Sequence, residues 1–178
     1  QSYRTVAYAN DGTYAEAVLG PVETLNPIFA STSAEESASS LLFSRLLTYD
    51  TTGNLNYDLA EKMTISKDQR KYTFTIRPDA RCQDGVYVRA RDVVYTVNLL
   101  QNPATRSTIT GWDDISVEAT DDRTVVFTLP SVYAAFTHAL NFQPILPEHI
   151  LLAGSAQHPF ANGNDHATFW QRSIKPSA

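Results

Sequence analysis

Two pairs of adjacent carboxylates are the first groups in this sequence that could do chemistry. Asp113-Asp114 and Asp121-Asp122 have the residue types that general acid and base catalysis requires. Both pairs fall at predicted turns, where an Asp side chain accepts hydrogen bonds from nearby backbone amides. We therefore interpret them as turn residues rather than as catalytic acids.

A polar loop near the end of the chain is the second group that could do chemistry. His158, Asp165 and His166 are ligand types for a metal ion, but their spacing fits no usual ligand pattern, so an ordinary loop is favoured. His138 and His149 fall in helical segments, where we expect them to pack or cap. The sequence has no Gly-x-Ser-x-Gly elbow, no phosphate-binding Gly-rich loop and no Cys-x-x-Cys pair. These patterns predict a protein that is not an enzyme and that uses no cofactor or metal.

The clearest structural elements lie in the middle of the chain. Lys71 to Arg77 alternates strictly between apolar and polar residues, which predicts a half-buried strand. Asp84-Gly85 predicts a tight turn, followed by a short strand from Val86 to Val88. Apolar residues then recur at helical spacing from Ala90 to Gln101, which predicts a helix with Asp92 in its first turn.

The sequence before Lys71 indicates a strand, a helix and a second strand. Thr13 to Leu19 has the composition of a strand. Ser33 and Glu36 have capping-box spacing, and the helix that they begin is expected to run to about Leu47. Its predicted apolar face consists of Ala38, Leu41, Leu42 and Leu46. Leu59 to Lys62 resembles a helical turn that leads into a strand from Met63 to Ile65.

The part after it predicts another hairpin and more helix. Ile115 and Val117 alternate with polar neighbours, and the return strand runs from Thr124 to Leu129. A helix is expected from about Ser131 to Leu140, a short strand from Pro144 to Leu146 and a helical turn from Pro147. The chain becomes loop-rich from Gly154. Hairpins and helices in this order predict a mixed α/β (α+β) fold, with an antiparallel or mixed sheet covered on one side.

Composition and charge narrow the class of protein. The 178 residues are 43% hydrophobic and 19% charged, with a net charge of -5, which is typical of a globular protein. The scattered Lys and Arg residues form no basic stripe, so nucleic acid is not an expected partner. No apolar run reaches the length of a membrane span, which is about 18 residues. The single cysteine, Cys82, excludes an internal disulfide.

A series of short motifs, taken in order, resembles a known family. The motifs are Gly12-Thr13-Tyr14, Leu25-Asn26-Pro27, Leu59-Ala60-Glu61, Tyr72-Thr73-Phe74-Thr75-Ile76-Arg77, Asp84-Gly85, Ala90-Arg91-Asp92-Val93-Val94, Val126-Phe127-Thr128-Leu129 and Ile145-Leu146-Pro147-Glu148-His149-Ile150. No one of them is specific, but their order over about residues 12 to 150 resembles the solute-binding family 5 proteins. These are the oligopeptide- and dipeptide-type binding components of ABC importers. Departures occur at Cys82 or Gln83, where the family usually has an aromatic residue, and at Arg89, where it has Thr or Asn as a helix cap.

The resemblance implies a type II-like periplasmic binding fold of which this chain forms part of the first lobe. Residues 1–45 would be the first strand and helix of that lobe, 46–143 an inserted α/β subdomain and 144–178 the return towards the lobe. The large apolar residues Phe169 and Trp170 near the end suggest a fragment. Two alternatives are a self-standing interaction or adhesion module and, within the family, a receptor for nickel, haem or sugars.

The resemblance also implies how and where the protein works. A peptide or other small solute would dock between two lobes, held by backbone hydrogen bonds in the manner of an added strand, and membrane permease subunits would be the partners. The location would be the periplasm or the outer face of the cell membrane, with no membrane span in the mature chain and a possible lipid anchor upstream.

The ligand-binding residues that the resemblance implies lie on two segments. They are Gly20, Pro21, Val22, Glu23 and Thr24 at a strand exit, and Thr108 and Trp112 in a loop at the lip of the cleft. Glu23 could meet the amino group of a ligand. The alternatives are a plain strand-to-loop turn with a solvated Glu23, and a Trp112 that anchors the core beside Ile115 instead of stacking on a ligand.

Overall fold

The chain folds into a small sheet, a larger sheet and four α-helices over the residues that the computed structural model describes: 20, 22–107, 109–141 and 143–157, with the backbone alone for 153–157. The helices are α1 (Ser33–Leu42), α2 (Ala90–Gln101), α3 (Phe136–Asn141) and α4 (Glu148–Gln157), with a 3-10 turn at Pro103–Thr105. The strands are β1 (Leu47–Tyr49), β2 (Leu55–Tyr57), β3 (Ala60–Ile65), β4 (Lys71–Ile76), β5 (Ser116–Ala119) and β6 (Thr124–Thr128). The strand predicted for Thr13 to Leu19 lies outside the described residues.

The larger sheet joins the two predicted hairpins. Its strand order is β3-β4-β6-β5 with every neighbouring pair antiparallel. Tyr72 of β4 pairs with Phe127 of β6, and Phe74 pairs with Val125. These four side chains are buried, so the strict alternation read in β4 marks the face that packs on the core. The prediction of an antiparallel sheet covered on one side is confirmed.

Helix α2 and an aromatic cluster fill the space behind this sheet. The apolar side of α2 packs over β5 and β6. The buried α2 residues on this side are Ala90, Val93, Val97 and Leu100. Phe136 at the start of α3 lies between the rings of Phe127 at 5.4 Å and Tyr72 at 4.8 Å, centroid to centroid. Burial of such rings contributes a large share of the apolar area that stabilises the fold.

Helix α1 is shorter than the sequence predicted, and its capping box lies one residue earlier in the chain than expected. Its cap is Thr32, whose hydroxyl accepts a hydrogen bond from the Glu35 amide, so the pair Ser33 and Glu36 is not the cap. The helix ends at Leu42, and Leu47 lies in β1. The predicted apolar face is also wrong, because Leu41 is 68% exposed while Ala34, Glu35 and Ser39 are the buried residues of the helix.

Three other predicted elements differ from the structure. Leu59 to Lys62 does not form a helical turn, because Ala60 already pairs with Ile76 and β3 begins there. Tyr87 makes one isolated bridge to Arg81 where a strand from Val86 to Val88 was expected. Pro144 likewise makes one isolated bridge, to Arg45, because a proline has no backbone N–H to continue a ladder.

The last two helices also differ in their bounds. α3 begins at Phe136 and not near Ser131, because the preceding residues form a turn in which the Phe136 amide donates to the Tyr133 carbonyl at 3.1 Å. α4 continues to Gln157, so the loop-rich stretch expected from Gly154 is helical as far as the structure describes it. A glycine inside a helix is tolerated at a cost of about 1 kcal/mol relative to alanine.

A pair of buried polar residues on α2 fixes the segment that leads into α4. Asp92 accepts hydrogen bonds from the Arg89 amide at 2.7 Å and from the Glu148 amide at 2.9 Å, and it is 2% exposed. Thr96 donates to the Asp92 carbonyl and accepts from the Leu146 amide at 2.9 Å. Asp92 thus accepts from amides at the start of both α2 and α4, and Thr96 holds the return segment beside α2.

Candidate functional site

The predicted strand exit is held in place by a buried carboxylate, Glu35. One carboxylate oxygen accepts from the amides of Glu23 at 3.0 Å and Thr24 at 3.3 Å, and the other accepts from the amides of Ser31 at 2.9 Å and Thr32 at 3.2 Å. Glu35 is 3% exposed. The hydrogen bonds of these four amides, that of Ser31 foremost, lower the pKa of Glu35 to about 2 against the opposing effect of burial.

Sequence reasoning missed Glu35, although a signal for it exists. Thr32-x-x-Glu35 has the same capping-box spacing as Ser33-x-x-Glu36, so the pattern fits two registers. The structure selects the first, because only Glu35 points towards the preceding chain and collects amides from residues 23–32. Glu36 is exposed on the next helical position.

The predicted ligand-binding residues of the strand exit divide into exposed and buried ones. Gly20 has a φ of +126° and is exposed, as are Val22 and Glu23. Thr24 is 4% exposed, and its hydroxyl accepts from the Asn26 amide at 3.1 Å, so this side chain shapes the turn. Pro21 lies outside the described residues. The structure therefore presents the Glu23 side chain outward from a fixed backbone.

The hydrogen bonds to Glu35 limit how this segment could hold a ligand. The amides of Glu23 and Thr24 already donate to Glu35, so an added strand would not use these two donors in the state described. The Glu23 carboxylate is the charged group that the segment offers, and a carboxylate binds an ammonium or guanidinium group by a charge-assisted hydrogen bond. The geometry suits recognition of a cationic group.

Trp112 lies in the core. It is 5% exposed, and its ring lies 6.4 Å from Phe127 and 6.2 Å from Phe136 between centroids. Its carbonyl and that of Ile115 accept from the Gln101 side chain at 2.7 Å and 2.6 Å. The core-anchor alternative is the one that this packing supports. Thr108 lies outside the described residues, and its contact with a ligand stays a prediction.

Three of the acidic and histidine residues considered in the sequence, Asp121, Asp122 and His149, have structural partners. One Asp121 oxygen accepts from the amides of Arg123 and Thr124, both at 2.8 Å, which confirms its turn role. Asp122 pairs with Arg89. His149 contacts Asp84 at 2.7 Å. Over the described residues, no group of three or more His, Cys, Asp and Glu side chains could hold a metal ion. The loop with His158 lies outside these residues.

Comparison with known proteins places the chain in a family. Residues 54–174 match the family model described as bacterial extracellular solute-binding proteins, family 5 Middle. The chain is 30% identical over 127 residues to the probable D,D-dipeptide-binding periplasmic protein DdpA of Escherichia coli K12, a match covering 66% of this chain and 24% of that protein. It is 33% identical over 129 residues to the oligopeptide-binding protein SarA of Streptococcus gordonii, covering 60% and 20%.

A solved structure supports the same assignment. The crystal structure of NikZ from Campylobacter jejuni in complex with Ni(L-His) is 34% identical, with a TM-score of 0.69, and the match covers 76% of this chain and 27% of that one. The chain thus spans about a quarter of the length of these relatives. Within the described part, none of the helices has the length and apolar character needed to cross a bilayer. Because the family model covers more than half of its residues, the chain belongs to family 5 of the bacterial extracellular solute-binding proteins.

Proposed function

We propose that this chain is part of the first lobe of the solute-binding component of an ABC importer, that it works in the periplasm or on the outer face of the cell membrane, and that its solute is a peptide. In this proposal residues 1–45 and 144–178 belong to the lobe and 46–143 form a subdomain inserted in it. The curated relatives named for dipeptides and oligopeptides favour a peptide. A nickel complex is the second candidate, because the NikZ structure at 34% identity holds one.

The observation that carries the site proposal is the way in which Glu23 is presented. Its backbone is tied to buried Glu35 by a hydrogen bond of 3.0 Å while its own carboxylate is exposed. A fixed backbone reduces the conformational entropy lost when the side chain binds, which favours affinity. We assign Glu23 to the amino group of the bound peptide, with Gly20 and Val22 beside it on the cleft face.

Calorimetry on the full-length protein that contains this chain would test the function. Peptides with a free amino group are titrated against their N-acetylated forms, and a nickel–histidine complex is titrated in parallel. We expect the free peptides to bind and N-acetylation to weaken binding about tenfold or more, because a charge-assisted hydrogen bond contributes about 1.5 kcal/mol or more.

Substitution of Glu23 would test the site. Glu23→Gln should weaken binding of the free peptide to the level of the N-acetylated one and leave the latter unchanged. Glu118→Gln on β5 is the matched control, since it removes the same charge from another exposed glutamate. Equal losses for both peptides would show that Glu23 acts without contacting the amino group. If the nickel complex binds and no peptide does, the proposal that the solute is a peptide is wrong and the nickel complex takes its place.

A further inference from the structure

A cavity of about 660 Å³ lies between α1, Ile109 and the return segment at Pro144. Its volume falls within the range of small-molecule sites, which is about 300 to 1,000 Å³. Pro27, Ile109 and Pro144 contribute apolar surface to its wall, whereas α1 contributes serine hydroxyls and the carboxylate of Glu36. A cavity with apolar walls and a few polar groups is the usual form of a small-molecule site.

Arg45 contributes the cationic group of this cavity, and its backbone is fixed on both sides. The Arg45 amide donates to the Asp58 carboxylate at 2.8 Å, and the Arg45 carbonyl accepts from the Leu59 amide at 2.8 Å. Arg45 also bridges to Pro144. The base of this side chain is therefore set by the fold, which favours a defined direction of the guanidinium.

The guanidinium of Arg45 lacks a full set of partners. Its Nε is closed off from solvent and has no acceptor, and no carboxylate of the described residues makes an ion pair with it. One Asp58 oxygen accepts from the Arg45 backbone amide. Burial lowers the pKa of the Arg45 side chain, and the charge of Asp58 raises it by less. A buried donor without an acceptor is costly, so an added anionic acceptor would stabilise this side chain.

The other polar groups of the wall restrict which anion fits. The Ser40 hydroxyl donates to the Ser37 carbonyl at 2.8 Å, and the Ser39 hydroxyl donates to the Glu36 carbonyl at 3.2 Å. These two protons are committed to α1, and Arg45 is the charged donor of the described lining. The negative charge of Glu36 opposes a multiply charged anion such as phosphate. A single carboxylate, whose two oxygens match the guanidinium fork, fits best.

We propose that the cavity binds the carboxylate of a small solute, with Arg45 as the residue that receives it. This inference rests on the proposed solute binding and names the solute group that is recognised, a free carboxyl terminus in the case of a peptide. In the bound state the guanidinium donates two parallel hydrogen bonds to this carboxylate.

The test is an NMR titration of the chain that follows the Nε–H signal of Arg45, with acetate, alanylalanine, alanylalanine amide and inorganic phosphate as probes. We expect acetate and alanylalanine to shift this signal, and we expect the amide and phosphate to bind about tenfold or more weakly. Arg45→Gln should abolish the preference for alanylalanine over its amide, and Arg45→Lys should keep part of that preference. Arg91→Gln, at an exposed arginine paired with Glu148, is the control and should bind as the native chain does.

A stability measurement separates a binding role from a structural one. Arg45→Met keeps the apolar stem and removes the unpaired donor, so we expect a melting temperature no lower than that of the native chain, together with loss of acetate binding. A marked fall in melting temperature would show that the guanidinium is structural and would overturn the proposal. Equal binding of alanylalanine and its amide would also overturn it and leave the proposed solute binding intact. No shift with either acetate or alanylalanine would overturn it as well, whereas the Glu23 site is judged by its own N-acetylation test.

Discussion

Replacing the buried carboxylate Glu35 by glutamine should destabilise the chain by an amount that depends on pH. The native hydrogen bonds lower the pKa of Glu35 from 4.5 to about 2. A difference of this size corresponds to about 3 kcal/mol of stability, at 1.36 kcal/mol per pKa unit. Glutamine keeps one acceptor oxygen but replaces the other by an NH2 group, which is a donor and faces amides that are donors too. We therefore expect most of this contribution to be lost at pH 7.

The sign of the pH dependence follows from a pKa that is lowered in the folded state. At pH values above about 4.5 the carboxylate is ionised in both states, and the native hydrogen bonds contribute fully to stability. As the pH falls from about 4.5 to about 2, the unfolded chain takes up a proton first and the contribution disappears. The deficit of Glu35→Gln relative to the native chain should therefore be largest at neutral pH and should shrink on acidification.

Urea unfolding at several pH values, followed by the fluorescence of buried Trp112, measures this deficit. Glu36→Gln is the matched control, because it removes the same charge from the neighbouring, exposed position of the same helical turn. Hydrogen exchange adds a local measurement, since the amides of Glu23 and Thr24 should lose protection in Glu35→Gln. Equal unfolding free energies for the two variants at pH 7, or a deficit that stays constant down to pH 2, would refute the reasoning.

Three further substitutions or reactions have expected outcomes. Thr96→Val should lower the free energy of unfolding by about 1 to 3 kcal/mol, because the buried Leu146 amide loses its acceptor, whereas Thr96→Ser should not. Burial, with the nearby carboxylates, raises the pKa of the Cys82 thiol from 9.0 to about 11, so alkylation at pH 8 should be about 100-fold slower than in the unfolded chain; equal rates would contradict this. Gly85 has a φ of +84° with open space around it, so Gly85→Ala should cost about 1 kcal/mol in thermal unfolding through backbone strain alone; an unchanged midpoint would exclude strain there.

The parts of the fold that the sequence predicted are those set by local periodicity. β4 and β6 alternate apolar and polar residues, and α2 has apolar residues at helical spacing, so burial of one face follows from the pattern. The turns between them carry Gly or Asp and were also found. The strands β1 and β2 were not predicted, because three residues are too short to show alternation.

The errors arose where a distant partner decides the local structure. Ala60 and Glu61 are good helix formers, but β3 pairs with β4 at Ala60 and again from Lys62, with an irregularity between them, and this pairing overrides that preference. The apolar end of α1 was expected to be buried, yet Leu41 is 68% exposed. Periodicity marks an apolar face but does not supply the surface that covers it.

The candidate site was predictable only in outline. The exposed Glu23 was identified through the family resemblance, whereas the carboxylate that fixes it, Glu35, was assigned to the wrong capping register. Arg45 carried no local signal, because its unsatisfied Nε and its cavity result from chain segments that are far apart in sequence. Such features become visible only when the buried polar atoms and their partners are accounted for one by one.

The hydrogen bonds from Asp92 and Thr96 to the segment before α4 have a consequence for truncated versions of this chain. A chain cut before Leu146 would keep the whole of the larger sheet and α2, yet the Asp92 carboxylate and the Thr96 hydroxyl would each lose a backbone amide donor. A chain that ends before Leu146 should therefore be harder to produce in folded form than a chain that ends at Glu148. The C-terminal limit of a stable shortened chain is thus set by two amide groups that lie 50 and 56 residues beyond the side chains that accept from them.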